Sequence, residues 1–408
     1  MNQSFPMNRV VITGIGVVSP VGHTLDEFWS ALIEPRSGIR PLTIVPTERL
    51  DTRIAAQVDD FDPASHFNPK YVGFLDRFSQ FAVCAARAAV RDAGLQISPE
   101  LALETATIIG NGAGGQNSID ESYLKFYGQK SQRVRPLTIP RTMVNAAGSH
   151  VSIDLGLKGP AWTVASACAS GTHAIGQAFH LLRSGQAAVA LAGGTEACLT
   201  FSTFKAWEAL RVLSPDTCRP FSKTRSGFVL GEGAAMLVLE TRDNARRRDA
   251  RVYAELVGFG MSADAVDITA PDVDGARRAI AAALRDAKLN PDDIDYVNAH
   301  GTGTILNDKS EAQALHRIFA SRIDRVPVSS TKGVLGHSLG ATGAFELAAT
   351  ALALHTQTMP PTANFEEPDP ECALDCIPNT ARQAPIRNAI SNSFAFGGLN
   401  AVLALGRA

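Results

Sequence analysis

The stretch AWTVASACASGTHAIGQAFHLLRSG, residues 161–185, reads as a strand that breaks into a helix with a thiol at the turn. Residues 161–167 are small and β-branched enough for a buried strand. Ala174, Ile175, Ala178, Phe179 and Leu182 then recur at helical spacing up to a stop at Gly185. Cys168 therefore stands near a helix N-terminus, where unpaired N–H groups and the positive end of the helix dipole favour thiolate over thiol. The expectation is a lowered pKa and an armed nucleophile. A lone cysteine is more often a small buried hydrophobe, so the rest of the chain has to decide between the two readings.

Outward from this stretch, strand-like runs at 10–16, 105–112, 187–194 and 234–240 alternate with helical stretches such as FSQFAVCAARAAVRDAG at 78–94. That alternation predicts an α/β architecture. Near residue 252 the pattern starts again, with VYAELVGFG as a strand, ARRAIAAALRDA at 276–287 as an amphipathic helix after Asp274, and IDYVNAH at 294–300 as a strand. The chain divides into two comparable halves, 1–251 and 252–408. The one Pro-dense stretch, 359–370, reads as an ordered surface loop.

At 408 residues, 45% hydrophobic and 19% charged, the chain is globular and large enough for one double domain. Its 38 basic and 40 acidic residues leave no overall charge for nucleic acid or an anionic membrane, so any acidic partner must meet a local patch. The opening MNQSFPMNRVVITGIG lacks the features of a secretory signal, and no apolar run approaches the ~18 residues needed to span a bilayer. The expectation is a soluble cytoplasmic protein. The six cysteines lack C-x-x-C spacing, which suggests neither a disulfide framework nor a zinc site.

His300 ends a strand and opens the loop HGTGT, at the carboxyl edge of a sheet where ligand sites collect. His337 lies in the Gly-rich loop of STKGVLGHSLGATGAFE, which feeds a helix from Ala344 to His355, with Lys332 upstream and Glu346 downstream. Alone, each ring is a candidate for a purely structural histidine. With Cys168, the two histidines form a set suited to acyl transfer. The thiolate holds an acyl group, and two imidazole N–H donors stabilise an enolate oxygen. Lys332 and Glu346 are positioned in sequence to orient the second ring.

Several motifs compete. GIGVVS at 14–19 and GNGAGG at 110–115 resemble pieces of a dinucleotide fingerprint, but Ser19 replaces the third glycine and no acidic residue closes a βαβ unit, so close backbone packing explains them better. GHSLG at 336–340 fits a nucleophile elbow built on Ser338, yet the only later histidine is His355, inside the next helix. His300, Asp308 and Glu311 match no common metal spacing, and a salt-bridged helix start is the simpler reading. Neither a metal nor a cofactor is expected.

In order and at the expected spacing, VVITGIGVVSPVG, ASACASG, RSGFVLGEGA, VNAHGTGT, SSTKGVLGH and SNSFAFGGLNAVL resemble the β-ketoacyl-[acyl-carrier-protein] synthases of the elongating type II branch. The resemblance implies a thiolase-like five-layered αβαβα sandwich, a homodimer, and decarboxylative condensation of a Cys168-bound acyl chain with malonyl-carrier protein. It further implies that His300 and His337 promote decarboxylation, that Lys332 and Glu346 support His337, and that the N–H groups of Cys168 and Phe396 form an oxyanion hole. By the same resemblance, Thr302 and Thr304 hold the phosphopantetheine arm, and Phe396 gates the acyl pocket. Lys70, Arg133 and Arg211 take the positions of a basic carrier-docking patch at the pocket mouth. Gly73 and Phe74 replace two further basic positions, with Lys130, Arg135, Arg141 and Lys205 nearby.

The chain also departs from that family. Ala395 and Leu399 differ from the housekeeping pattern, and Ala113 is smaller than the aliphatic that the family places at the pocket floor across the dimer interface, which implies room for longer, bulkier or unsaturated chains. KAWEALRVLSPDTCRPFS and PPTANFEEPDPECALD are similar to a rhizobial nodulation ketosynthase, a hint of specialised lipid or polyene synthesis. Thiolases carry a second reactive cysteine and initiating synthases pair Cys with His and Asn, and neither pattern fits. A non-catalytic chain-length partner would lack the nucleophile.

Overall fold

The computed structural model describes residues 7–408. Residues 1–6, on which part of the leader reading falls, lie outside the described residues.

The main sheet has ten strands: Val10–Val18 (β1), Thr105–Gly110 (β2), Ala161–Val164 (β3), Val189–Glu196 (β4), Gly233–Thr241 (β5), Ala254–Ala263 (β6), Tyr296–Asn298 (β7), Val328–Ser329 (β8), Asn388–Ala395 (β9) and Leu399–Gly406 (β10). Their spatial order is β8-β7-β9-β10-β6-β1-β5-β4-β2-β3. From the β1–β6 seam outward, each side repeats one order: first strand, fifth, fourth, second, third. At the seam Val10 lies opposite Leu256 and Ile12 opposite Ala254, antiparallel.

The layers follow from which side chains each strand sends to which face. Along β5, Ala235, Leu237 and Leu239 enter the central core, while Ala234, Met236 and Val238 enter an outer one. Along β10, Ala401, Leu403 and Leu405 face the centre, and Val402 and Ala404 face a second outer core. Arg77–Asp92 (α1) covers the first outer face, against β1 and β5. Val273–Ala287 (α2) and Ile305–Phe319 (α3) cover the second. Between the two halves of the sheet lie Ser170–Arg183 (α4) and Thr342–Thr356 (α5). Because α5 is enclosed on every side, TGAFELAATALALHT is apolar all round and buried from Thr342 to Leu354. These five layers form a thiolase-like αβαβα sandwich.

Two glycines set the approach of the central helices. A Cβ on Gly110 would lie 2.3 Å from the Ser170 carbonyl carbon, and one on Gly343 would lie 1.9 Å from Thr172 Oγ1. Their absence lets α4 sit directly on β2 and α5 directly on α4. The glycines that imitated a dinucleotide fingerprint therefore serve packing.

Two expectations are corrected. The strand before Cys168 is not buried: β3 is the sheet's edge, paired only with β2, and Trp162 is 36% exposed. The helix at 276–287 begins earlier, with Asp272 as its cap accepting the Gly275 N–H, while Asp274 in the first turn pairs with Arg277 and Arg278 in the second. No helix among the described residues is long and apolar enough to cross a membrane.

Candidate active site

Strand β3 stops at Val164, and the chain turns sharply before α4. Ala167 takes φ +48°, in the left-handed region. Ser170 Oγ holds the turn, accepting the Ser166 N–H at 2.9 Å and donating to the Ala167 carbonyl at 2.7 Å. Cys168 follows in a single 3₁₀ turn, Ala167–Ala169, and is 7% exposed. The expected lowering of its pKa is not found. Burial pushes the thiol up to about 12, against the Lys332 charge and the Phe396 and Cys168 N–H groups, which pull the other way. Desolvation outweighs the helix start.

His300 leaves the end of β7 with its backbone clamped. Glu311 on α3 accepts the N–H groups of His300 at 2.9 Å and Gly301 at 2.8 Å. Asp308 accepts those of Phe221 at 2.7 Å and Gly303 at 3.1 Å. These carboxylates, weighed above as metal ligands, shape the HGTGT loop instead.

Lys332 Nζ lies 3.4 Å from His300 Nδ1, donates to the His300 carbonyl and pairs with Glu346 Oε1. An ammonium only donates, so Nδ1 accepts and Nε2 carries the ring proton. The expectation that Lys332 and Glu346 support His337 is thereby corrected. The short helix Lys332–Leu335 and Gly336 at φ +65° separate Lys332 from its sequence neighbour and aim it at the other ring.

His337 is held by Thr342, whose Oγ1 is 2.9 Å from Nδ1, leaving Nε2 3.1 Å from Cys168 Sγ. Its backbone bridges the 228–231 segment, donating to Val229 O at 2.7 Å and accepting from the Gly231 N–H at 3.0 Å. The two rings meet edge to face with centroids 5.5 Å apart. One ring nitrogen from each histidine and the Cys168 sulfur all lie within 4.8 Å of one another. Burial first, then the Lys332 charge, holds both imidazoles well below the usual histidine range.

The three side chains close the bottom of a cavity of about 390 Å³. Thr302 and Thr304 line it, their hydroxyls 2.8 Å apart, as do Phe396 and Arg211. Phe396 sits at the tip of the β9–β10 hairpin, followed by Gly397 at φ +82° and Gly398 at φ +66°.

Other predicted residues lie elsewhere. Ala113 does not line this cavity; its N–H donates to Glu196 Oε1 at 3.2 Å. That buried carboxylate also accepts from Gly112 at 2.9 Å and Gly340 at 3.0 Å, tying the 111–113 loop to the turn after His337. Lys70 and Arg133 line two separate surface depressions, so of the three docking positions only Arg211 stands at this mouth. Arg135 pairs with Glu121 and Lys205 with Glu208, which leaves those charges already engaged. Ser338 Oγ is buried without a hydrogen-bond partner, so no base serves a serine nucleophile. Cys372 and Cys376 are buried in the outer core of the second half.

The sequence reading missed Thr342 and Glu196 altogether. Thr342, five residues after His337, reads in sequence only as the start of an apolar helix. Glu196, after the GG of AAVALAGG, carried a signal in being a charge at the end of a buried strand.

Comparison with known proteins places the chain in a group. A model of the beta-ketoacyl synthase N-terminal domain matches residues 7–245, and one of the C-terminal domain matches residues 253–366. Nodulation protein E of Rhizobium sp. (strain N33) is 45% identical over 396 residues, 97% of this chain and 98% of that protein. The 3-oxoacyl-[acyl-carrier-protein] synthase 2 of Coxiella burnetii (strain RSA 493 / Nine Mile phase I) is 42% identical over 407 residues, 98% of each. Among solved structures, the ishigamide ketosynthase/chain length factor superposes with a TM-score of 0.94 at 38% identity, covering 98% of this chain and 100% of that one.

Proposed function

The chain belongs to the β-ketoacyl synthase family, and from that premise we propose how its residues divide the work. It is a 3-oxoacyl-[acyl-carrier-protein] synthase, an acyl-transferring enzyme whose partner is acyl carrier protein. Cys168 Sγ attacks the thioester carbonyl of the acyl-carrier protein, and the carrier thiol departs with the cysteine proton. The N–H groups of Cys168 and Phe396 receive the oxyanion. Malonyl-carrier protein then enters, its arm held by Thr302 and Thr304. As CO2 leaves, the Nε2–H groups of His300 and His337 stabilise the enolate oxygen. The enolate carbon attacks the acyl-cysteine, expelling the Cys168 thiolate, which takes one proton from solvent as the 3-oxoacyl-carrier protein leaves.

One observation supports these roles above the rest. His337 Nε2 stands 3.1 Å from Cys168 Sγ in a buried site, and both imidazoles are held neutral, each keeping one ring N–H that can donate at pH 7. Burial keeps them so, aided by the Lys332 charge, and Glu346 balances Lys332 within the fold. The half 1–251 brings the nucleophile and the half 252–408 the two imidazoles.

For the substrate, Ala113 lies outside the cavity formed within one chain and reaches the acyl pocket only across the interface of a dimer, where its small side chain leaves room for chains longer or bulkier than those of housekeeping synthesis, as a specialised lipid or polyene pathway would need. Lys70, Arg133 and Arg211 receive the acidic carrier. The exposed edge strand β3 is the face that joins two copies in a homodimer. A site built on a reduced thiol fits the cytoplasm.

The test is intact-mass analysis of wild type and Cys168→Ala with acyl-carrier proteins of graded length, then malonyl-carrier protein. A Cys168-dependent adduct should convert to a 3-oxoacyl product two carbons longer. Ala113→Ile should shorten the accepted chains. An adduct formed equally by Cys168→Ala overturns the nucleophile, and an unchanged length profile overturns the role of Ala113.

A further inference from the structure

Phe201–Ala209 (α6) carries a tryptophan that the condensation chemistry leaves without a task. Trp207 is half-buried and lines the cavity beside the Phe396 ring, with centroids 5.7 Å apart and planes tilted by 33°. On its other side it meets Phe228 edge to face at 5.3 Å, and Phe228, 3% exposed, meets the His337 ring edge to face at 5.1 Å. A continuous aromatic file thus runs from the hairpin tip to the imidazole nearest the sulfur. Phe228 is fixed at the head of the segment that bridges His337, whereas Phe396 precedes two glycines in the left-handed region. Of the ring contacts in the file, the Trp207–Phe396 pair is the one whose partner sits at a hairpin tip next to two left-handed glycines rather than in the bridged segment.

We propose that Trp207 is the latch of the Phe396 gate, a positioning residue that sets how readily an acyl chain gains entry to Cys168. The proposal rests on Phe396 acting as the gate. In the resting site the tilted pair holds the hairpin tip over the sulfur. An acyl chain that displaces the Phe396 ring must first part it from Trp207, while Phe228 and His337 stay in place. An aromatic pair of this kind changes the closed-to-open ratio by about two- to tenfold. A malonyl group, short and entering from the mouth, does not need the displacement.

The test compares Cys168 acylation in wild type, Trp207→Ala, Trp207→Phe, Phe396→Ala and the Trp207→Ala/Phe396→Ala double variant. Decarboxylation of malonyl-carrier protein without an acyl donor is followed alongside. Trp207→Ala should accelerate acylation about two- to tenfold and leave decarboxylation nearly unchanged, Trp207→Phe should fall between, and the double variant should be no faster than Phe396→Ala. If Phe396→Ala accelerates acylation and Trp207→Ala does not, the latch is wrong and the gate stands. If Phe396→Ala has no effect, the gate reading fails and takes the latch with it.

A second readout needs no change at Trp207. In a Trp29→Phe/Trp162→Phe protein, Trp207 emission should shift when Cys168 is acylated, and a spectrum that stays fixed through full acylation overturns the latch.

Discussion

A thiol pushed up to about 12 keeps its proton until a substrate arrives, so Cys168 is protected from casual chemistry at neutral pH. At pH 7 the thiol form prevails. Carbamidomethylation of Cys168, followed by intact mass, should therefore rise about tenfold per pH unit from 7 to 9 without levelling off. A plateau below pH 8 would mean the helix start and Lys332 win after all. The same scale separates the two rings. Losing the Thr342 hydroxyl frees His337 without touching His300, so Thr342→Val should slow malonyl decarboxylation about five- to tenfold while Thr342→Ser restores it. Equal rates in the Val and Ser variants would reduce Thr342 to packing.

At the scale of the element, the bend that presents the nucleophile depends on one backbone angle. Ala167 at φ +48° tolerates glycine or asparagine, but a β-branched side chain there costs about 1–3 kcal/mol. Ala167→Val should lower the thermal midpoint and slow acylation, with Ala167→Gly close to wild type in both; matched values for all three would place no demand on the turn. The strand, the helix and the thiol between them were legible in residues 161–185 because periodicity and turn residues are local signals. That β3 is an edge was not, since a half-exposed strand and a buried one share the same small and β-branched composition, and only pairing decides. Local reading failed in the same way at Lys332. Five residues from His337, it serves His300 instead, because a short helix and a left-handed glycine intervene. Thr342 and Glu196 act through contacts that sequence distance hides.

At the scale of the molecule, Arg211 stands at the cavity mouth while Lys70 and Arg133 line other depressions. A carrier protein that touches all three spans a broad surface. Charge reversals should then raise the apparent KM for carrier-linked thioesters nearly additively, and leave small thioesters alone. If Arg211→Glu impairs small and carrier-linked substrates equally, the docking role is lost. Both halves of the sheet repeat one strand order, and the site draws from both, with sulfur from residue 168, imidazoles from 300 and 337, and the facing N–H from 396. That order gives the site a direction in biosynthetic time. The nucleophile is made first, and its last electrophilic helper arrives with the β9–β10 hairpin. A nascent chain on the ribosome thus has to pass residue 396 before the groups around the sulfur are complete.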